Sequence, residues 1–294
     1  MGEQLVYFCG KIMPLSEAKL PVMDHACLYG DGVFEGIRAY NGYVFKLTDH
    51  VKRLYNSAKA IRLEIPMSKA EMEKVVTSTC AANNLTDCYI RLVVTRGGDN
   101  LGLMPNKEFP PRVFCIAGGV KLYSPESYQN GLHAKTTSFR RNNALIVDPQ
   151  IKSLNYLNSI QAVMEAAAAG FEEAVFLNAD GIVCEGSGDN IFIVKDNVLI
   201  TPPTYLGTLD GITRQNVMKV ARDAGYEVRE EPFTLFNMFA ADEAFLTGTA
   251  AEAIALTEVD DRKIGNGQAG PVTMDVLSKF RKYARDPKNG TKIE

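Results

Sequence analysis

Four short apolar runs between residues 174 and 200 constrain the fold of this chain most. Residues 174–177 are separated from 182–184 by Asp180-Gly181, and 190–194 from 198–200 by Asp196-Asn197. Each of these dipeptides accepts the positive φ angles of a tight turn, so the runs are expected to pair as antiparallel hairpins. Asn41-Gly42 gives the same signal between runs at 33–40 and 43–45, and Gly10-Lys11 separates 6–9 from 12–13. Further strands are expected at 88–95, 112–117, 134–139, 226–230 and 243–247. Helices interrupt them. Thr48 is expected to cap a helix through Ile61, with Val51, Leu54, Tyr55, Ala58 and Ile61 on one face. Ser68-Lys69-Ala70-Glu71 reads as a capping box opening a helix to Ala82. Others are expected at 156–169, 213–224 and from Pro271 to Tyr283. Hairpins mixed with helices, rather than a repeating strand–helix–strand order, place the chain in the α+β class.

Glycines, prolines and polar residues concentrate near 119–131, which reads as an interdomain linker. The expected organisation is therefore a small N-terminal α/β domain over 1–118 and a larger C-terminal domain over 132–294. At 294 residues, with 46% hydrophobic and 23% charged residues, the chain can bury two ordinary cores. Its net charge of −3 gives no basic footprint for nucleic acid or an anionic membrane. No stretch reaches the length of a membrane span, and the first residues lack a charged-then-apolar signal pattern. Six scattered cysteines without a C-x-x-C spacing read as reduced core thiols of a cytoplasmic protein. Three histidines in no ligand spacing argue against a metal site.

The residues that carry chemistry lie elsewhere. Lys152 stands among Ile151, Leu154 and Leu157, and an amine in apolar company can act as a nucleophile toward a carbonyl. Alone it is an ordinary lysine. Glu185 opens Glu185-Gly186-Ser187-Gly188-Asp189-Asn190, just after a strand, where a rigid carboxylate can accept a hydrogen bond from a protonated ring nitrogen. Leu209-Asp210-Gly211-Ile212-Thr213-Arg214 leads into a helix, whose free N-terminal amides suit a phosphate. Thr247-Gly248-Thr249-Ala250-Ala251 adds a second turn of amides, and Arg53 a guanidinium. No nucleotide-binding glycine loop occurs. An amine, a carboxylate and an anion site together fit pyridoxal 5′-phosphate.

The ordered set Tyr29-Gly30-Asp31-Gly32-Val33-Phe34-Glu35-Gly36-Ile37-Arg38-Ala39-Tyr40, His50-Val51-Lys52-Arg53-Leu54, Ile151-Lys152-Ser153-Leu154-Asn155-Tyr156-Leu157-Asn158, the Glu185 and Gly211 motifs and Thr247-Gly248-Thr249-Ala250-Ala251-Glu252 resembles the class IV aminotransferases. It resembles the branched-chain amino acid aminotransferases most of all. The resemblance spans nearly the whole chain. It implies pyridoxal-phosphate fold type IV, the D-amino acid aminotransferase-like fold, with the cofactor between two domains. Lys152 would bond the cofactor and move the substrate proton. Glu185 would meet the ring nitrogen, Tyr156 the ring hydroxyl, and Arg53, Ile212, Thr213 and Thr249 the phosphate. The amides of Ala250 and Thr249, with Tyr89, would bind the substrate carboxylate, Gly36 and Ala251 would also belong to the substrate site, and Arg91 would meet the second carboxylate of glutamate. Tyr29, Phe34, Leu101 and Leu103 would form an apolar wall, with Tyr29 and the 97–105 loop crossing to a neighbouring subunit of a homodimer or larger homo-oligomer. Arg38 and Arg96 have no role assigned from sequence.

D-amino acid aminotransferases of this class carry an Arg-x-His carboxylate trap, where this chain has Leu101-Gly102-Leu103. The expected reaction is thus amino-group exchange between leucine, isoleucine or valine and 2-oxoglutarate. D-amino acid or amine transamination and aminodeoxychorismate lyase activity are the alternatives within the fold, and a non-catalytic scaffold is a remote one.

Overall fold

A computed structural model describes residues 3–98, 100–106, 108–119 and 123–294. Asp99 of the glycine-rich loop and residues 120–122 of the expected linker lie outside the described residues. The chain forms two compact units, one of Met1–Val120, Ile151–Asn155 and Ala284–Glu294, the other of Lys121–Gln150 and Tyr156–Tyr283. The short segment with Lys152 thus groups with the N-terminal residues, and part of the expected linker is a helix, Pro125–Asn130.

Among the described residues, the first unit is built on a seven-stranded antiparallel sheet. Its order is Gly290–Lys292, Tyr43–Phe45, Gly32–Tyr40, Cys88–Thr95, Arg112–Gly118, Leu5–Phe8 and Lys11–Pro14. Asn41 and Gly42 both have positive φ, +50° and +81°, and make the expected tight turn. The helices Leu47–Ala60 and Lys69–Ala82 supply Val51, Leu54, Met72 and Val76 to a core shared with Val33, Ile37, Ile90 and Leu92. Ser68 and Glu71 form the expected reciprocal cap. Thr48 does not cap its helix. Lys46, in the left-handed region, is the capping residue, and its side chain makes no cap hydrogen bond.

Among the described residues, the second unit has a mixed nine-stranded sheet. Asn190–Lys195, Glu243–Gly248, Glu252–Val259, Leu132–Arg140, Glu173–Leu177 and Val183–Gly186 follow in order, and the last pairs back to the first through Glu185 and Asn190. That closure leaves Ile191, Ile193, Leu246, Ile254 and Val183 with little or no exposure. Three of the pairings in this sheet are parallel, so hairpin logic alone does not describe it. Both units mix helices and sheets, as an α+β chain should.

Candidate active site

In the first unit the pleat sorts the chemistry. Side chains two apart share a face of a strand, and directly paired residues of neighbouring strands share it too. Gly32–Tyr40 pairs with Cys88–Thr95 so that Phe34 opposes Val93, Gly36 opposes Arg91 and Arg38 opposes Tyr89. Phe34, Gly36, Tyr89 and Arg91 therefore line one face. The Arg91 guanidinium lies 4.5 Å from the Phe34 ring centroid, and its Nη2 donates to the Tyr89 hydroxyl at 3.0 Å. Gly36 leaves the room that hydroxyl needs, because a Cβ there would lie 2.3 Å from it.

Lys152 reaches the same face. Its Nζ lies 4.6 Å from the centroid of Phe34. The segment is anchored on the strand end: the Phe34 amide donates to the Lys152 carbonyl at 3.0 Å, and the Leu154 amide to the Gly32 carbonyl at 3.0 Å. The Lys152 amide donates to Ser57 Oγ on the helix at 3.1 Å. The amine is thus presented from a backbone fixed on both sides.

On the opposite face Glu35 is fully buried. It accepts from Arg53 Nε at 2.8 Å and Nη2 at 2.7 Å, and lies 2.8 Å from His50 Nδ1. Burial alone would push the Glu35 carboxyl up; the Arg53 charge, with the hydrogen bonds of Arg53 and His50, outweighs it and holds the group at about 2. Burial pulls His50 below the usual histidine range despite the Glu35 contact, so a neutral ring donates Nδ1–H to the carboxylate. Glu35 has no role that sequence reasoning assigns; in the fold it fixes the guanidinium of Arg53. Arg96, unassigned from sequence, grips Asp31 through Nε at 2.9 Å and Nη2 at 3.0 Å. Arg38 stacks on Tyr40, 4.9 Å from the ring centroid. Leu101 and Leu103 are exposed, and the Tyr29 hydroxyl donates to the Leu101 carbonyl.

In the second unit Glu185 is 4% exposed. Its Oε1 takes Arg141 Nη2 at 2.6 Å, and its Oε2 takes the Leu209 amide at 2.9 Å and Asn190 Nδ2 at 3.2 Å. Sequence reasoning missed Arg141, because an arginine pair in a polar stretch resembles any solvated surface. The helix Ile212–Asp223 follows Gly211 with no side-chain cap, so the Ile212 and Thr213 amides face outward from a positive helix end. Behind them Arg214 is almost fully buried, and donates to the Pro202 carbonyl at 3.0 Å and Glu230 at 2.7 Å. Thr249, Ala250 and Ala251 follow the strand Glu243–Gly248; the Ala251 carbonyl accepts the Tyr128 hydroxyl at 3.0 Å. The buried hydroxyls of Thr247 and Thr208 have no partner. Tyr156 is half-buried at the start of the helix Leu157–Ala168.

These residues fit a phosphorylated pyridine aldehyde. The first unit carries an anchored amine; the second carries a buried carboxylate paired with Arg141, a helix that starts after a glycine, and the buried hydroxyls of Thr247 and Thr208. No group of ligating side chains suited to a metal occurs among the described residues.

Comparison with known proteins agrees with this chemistry. The family model described as amino-transferase class IV matches residues 32–259. A putative branched-chain-amino-acid aminotransferase of Methanocaldococcus jannaschii is 51% identical over 94% of this chain and 95% of its own length. The crystal structure of the T.th. branched-chain amino acid aminotransferase with pyridoxamine 5′-phosphate superposes with a TM-score of 0.95 at 38% identity, covering 100% of both chains. The same enzyme complexed with N-(5′-phosphopyridoxyl)-L-glutamate gives 0.94 at 37% identity, again over 100% of both. The carboxylate, the anion site, the anchored lysine and this likeness over the full length have one common reading, and the chain belongs to the class IV aminotransferases.

Proposed function

We infer that the protein is a pyridoxal-phosphate-dependent aminotransferase that exchanges an amino group between branched-chain L-amino acids and 2-oxoglutarate. The observation that carries this reading is the Lys152 amine held over Phe34 on the face shared by Gly36, Tyr89 and Arg91. The bound cofactor supplies an aldehyde for amine exchange and an electron sink for the substrate Cα. The side chains do the rest. Lys152 anchors the aldehyde and carries the proton to and from Cα. Glu185, oriented by Arg141, would keep the ring nitrogen protonated. Arg53, the Ile212 and Thr213 amides and Thr249 hold the phosphate, and Tyr156 bonds the ring hydroxyl.

Tyr89 with Thr249, Ala250 and Ala251 receives the substrate carboxylate. Phe34 offers an apolar surface to a branched side chain, worth about 0.8 kcal/mol per buried methylene. Arg91 beside that surface accepts the second carboxylate of glutamate, so one pocket serves both substrates.

The enzyme is further proposed to be a cytoplasmic homodimer or larger homo-oligomer. Leu157, Ile160, Val163 and Met164 form an exposed apolar stripe on one helix, and a second copy would cover it. Leu101 and Leu103 are exposed as a loop that completes a neighbour's wall would be. Four of the six thiols are buried and unpaired, which suits a reducing compartment. No helix among the described residues is long and apolar enough to cross a membrane.

The test is a panel of half-reactions on cofactor-loaded protein with L-leucine, D-alanine, an aromatic L-amino acid and a simple amine. L-leucine should convert the cofactor fastest, and borohydride reduction should leave the cofactor mass on Lys152. Faster conversion by D-alanine, or an adduct on another lysine, would overturn the reading.

A further inference from the structure

His25 is 1% exposed and touches two parts of the molecule that the expected site uses, the glycine-rich loop and Tyr29, and also Asp31. Its amide donates to the Gly97 carbonyl at 2.9 Å, and its Nε2 lies 3.2 Å from Asn100 Oδ1. The ring is packed so closely on the loop that a Cβ on Gly98, whose φ is +103°, would come 3.0 Å from His25 Cδ2. On the other side the ring meets the edge of Tyr29, centroids 5.1 Å apart. Tyr29 in turn donates to the Leu101 carbonyl. His25 Nδ1 is 3.4 Å from Asp31, the carboxylate that Arg96 grips. Arg96 also donates to the Ile61 and Arg62 carbonyls at 2.7 Å, at the end of the helix that carries Arg53.

The consequence is that the described loop residues on either side of position 99 are held by hydrogen bonds while their apolar side chains stand exposed. The loop is tied at Gly97, Asn100 and Leu101, while Leu101, Leu103 and Met104 are 72%, 80% and 81% exposed. Apolar side chains held out on a tethered loop are ready to meet an apolar ligand without a further ordering cost. A buried histidine that only filled the core would not need a partner on the loop. We propose that His25 is a positioning residue for side-chain selection: through Asn100 and Tyr29 it sets the loop that offers Leu101 and Leu103 to a branched substrate. This rests on the branched-chain reading above and adds the residue that enforces it.

The experiment compares kcat/KM for L-leucine and L-alanine in cofactor-loaded enzyme, unaltered and as Asn100→Ala, His25→Leu and His25→Gln. Alanine is too short to reach the loop and serves as the internal control. Asn100→Ala and His25→Leu should lower the leucine-to-alanine ratio about tenfold, through a higher KM for leucine with kcat little changed. His25→Gln keeps an amide donor toward Asn100 and should restore most of the ratio. Asn100 is on the loop rather than in the core, so its variant decides the matter if His25→Leu does not fold. An unchanged ratio in folded variants overturns the proposal, and so does a parallel loss for both substrates. Absence of leucine turnover in the unaltered enzyme overturns the branched-chain reading itself, a result distinct from normal leucine turnover with an unmoved ratio.

Discussion

Arg141 donates from Nη2 to Oε1 of Glu185 across 2.6 Å, with the two side chains 13% and 6% exposed. The pair makes Glu185 a fixed anion whose other oxygen is held by the Leu209 amide. Breaking a buried pair from one side is far more damaging than replacing both partners, because the remaining charge is stranded. Arg141→Met should therefore destabilise the protein by about 3 kcal/mol, the lower end for buried pairs, since Asn190 and Leu209 still bond Glu185. It should also speed cofactor loss, because the carboxylate is no longer aimed. Chemical denaturation and the rate of cofactor release measure the two effects; a variant as stable and as retentive as the parent would remove Arg141 from this role.

Glu35 predicts a pH dependence. Burial raises its carboxyl and Arg53 with His50 lowers it further, to about 2 from an ordinary 4.5. A depressed folded pKa means the unfolded chain binds the proton first. The stability Glu35 contributes is then fully present above pH 4.5 and is lost as the pH falls toward 2. Glu35→Gln should cost about 3 kcal/mol at neutral pH, and the gap between variant and parent should close on acidification. Denaturation midpoints at several pH values test this. A gap that stays constant from neutral pH down to about 2 would show that Glu35 is not ionised against Arg53.

What could be read from the sequence was mostly local. The Ser68–Glu71 cap and the Asn41-Gly42 turn depend on residues within four positions of each other, and both formed as expected. Thr48 misled because a threonine near a helix start signals a cap only if the backbone enters there in extended form; Lys46 enters in the left-handed region. The strand Gly290–Lys292 pairs with Tyr43–Phe45 across nearly the whole chain, and no local pattern encodes such a pairing. The residues proposed for the chemistry stood out for a different reason. Lys152, Glu185 and Arg53 lie in motifs whose order is distinctive, whereas Arg141 holds Glu185, Glu35 holds Arg53 and His25 holds Gly97 and Asn100, contacts that show only in three dimensions.

Gly36 gives a steric prediction. A methyl group there would lie 2.3 Å from the Tyr89 hydroxyl and 3.0 Å from its Cζ. The ring must move, and the Arg91 contact at 3.0 Å goes with it. Because the pair is proposed to receive substrate carboxylates, Gly36→Ala should raise KM for amino acids about tenfold while the fold survives. Steady-state kinetics beside a thermal melt separate the two; an unchanged KM would mean that Tyr89 does not contact substrate.

Glu243 bears on stability rather than chemistry. It is 8% exposed, and its Oε1 accepts the Val272 amide at 3.0 Å. Its Oε2 accepts both the amide and the hydroxyl of Thr273 at 2.7 Å. A carboxylate from a neighbouring strand therefore caps the helix Pro271–Ala284, whose first residue has no amide to offer. Gly270 permits the approach, since a Cβ there would lie 2.0 Å from Glu243 Cδ. Glu243→Gln turns one acceptor into an NH2 that faces an amide N–H, leaving a buried donor unsatisfied at a cost of about 2 kcal/mol. Gly270→Ala should push the carboxylate off the helix and destabilise similarly. Neither residue belongs to the proposed pocket, so kcat/KM for L-leucine should hold at moderate temperature while the melting temperature falls. A melting temperature that stays at the parent value in both variants would show that Glu243 does not cap this helix.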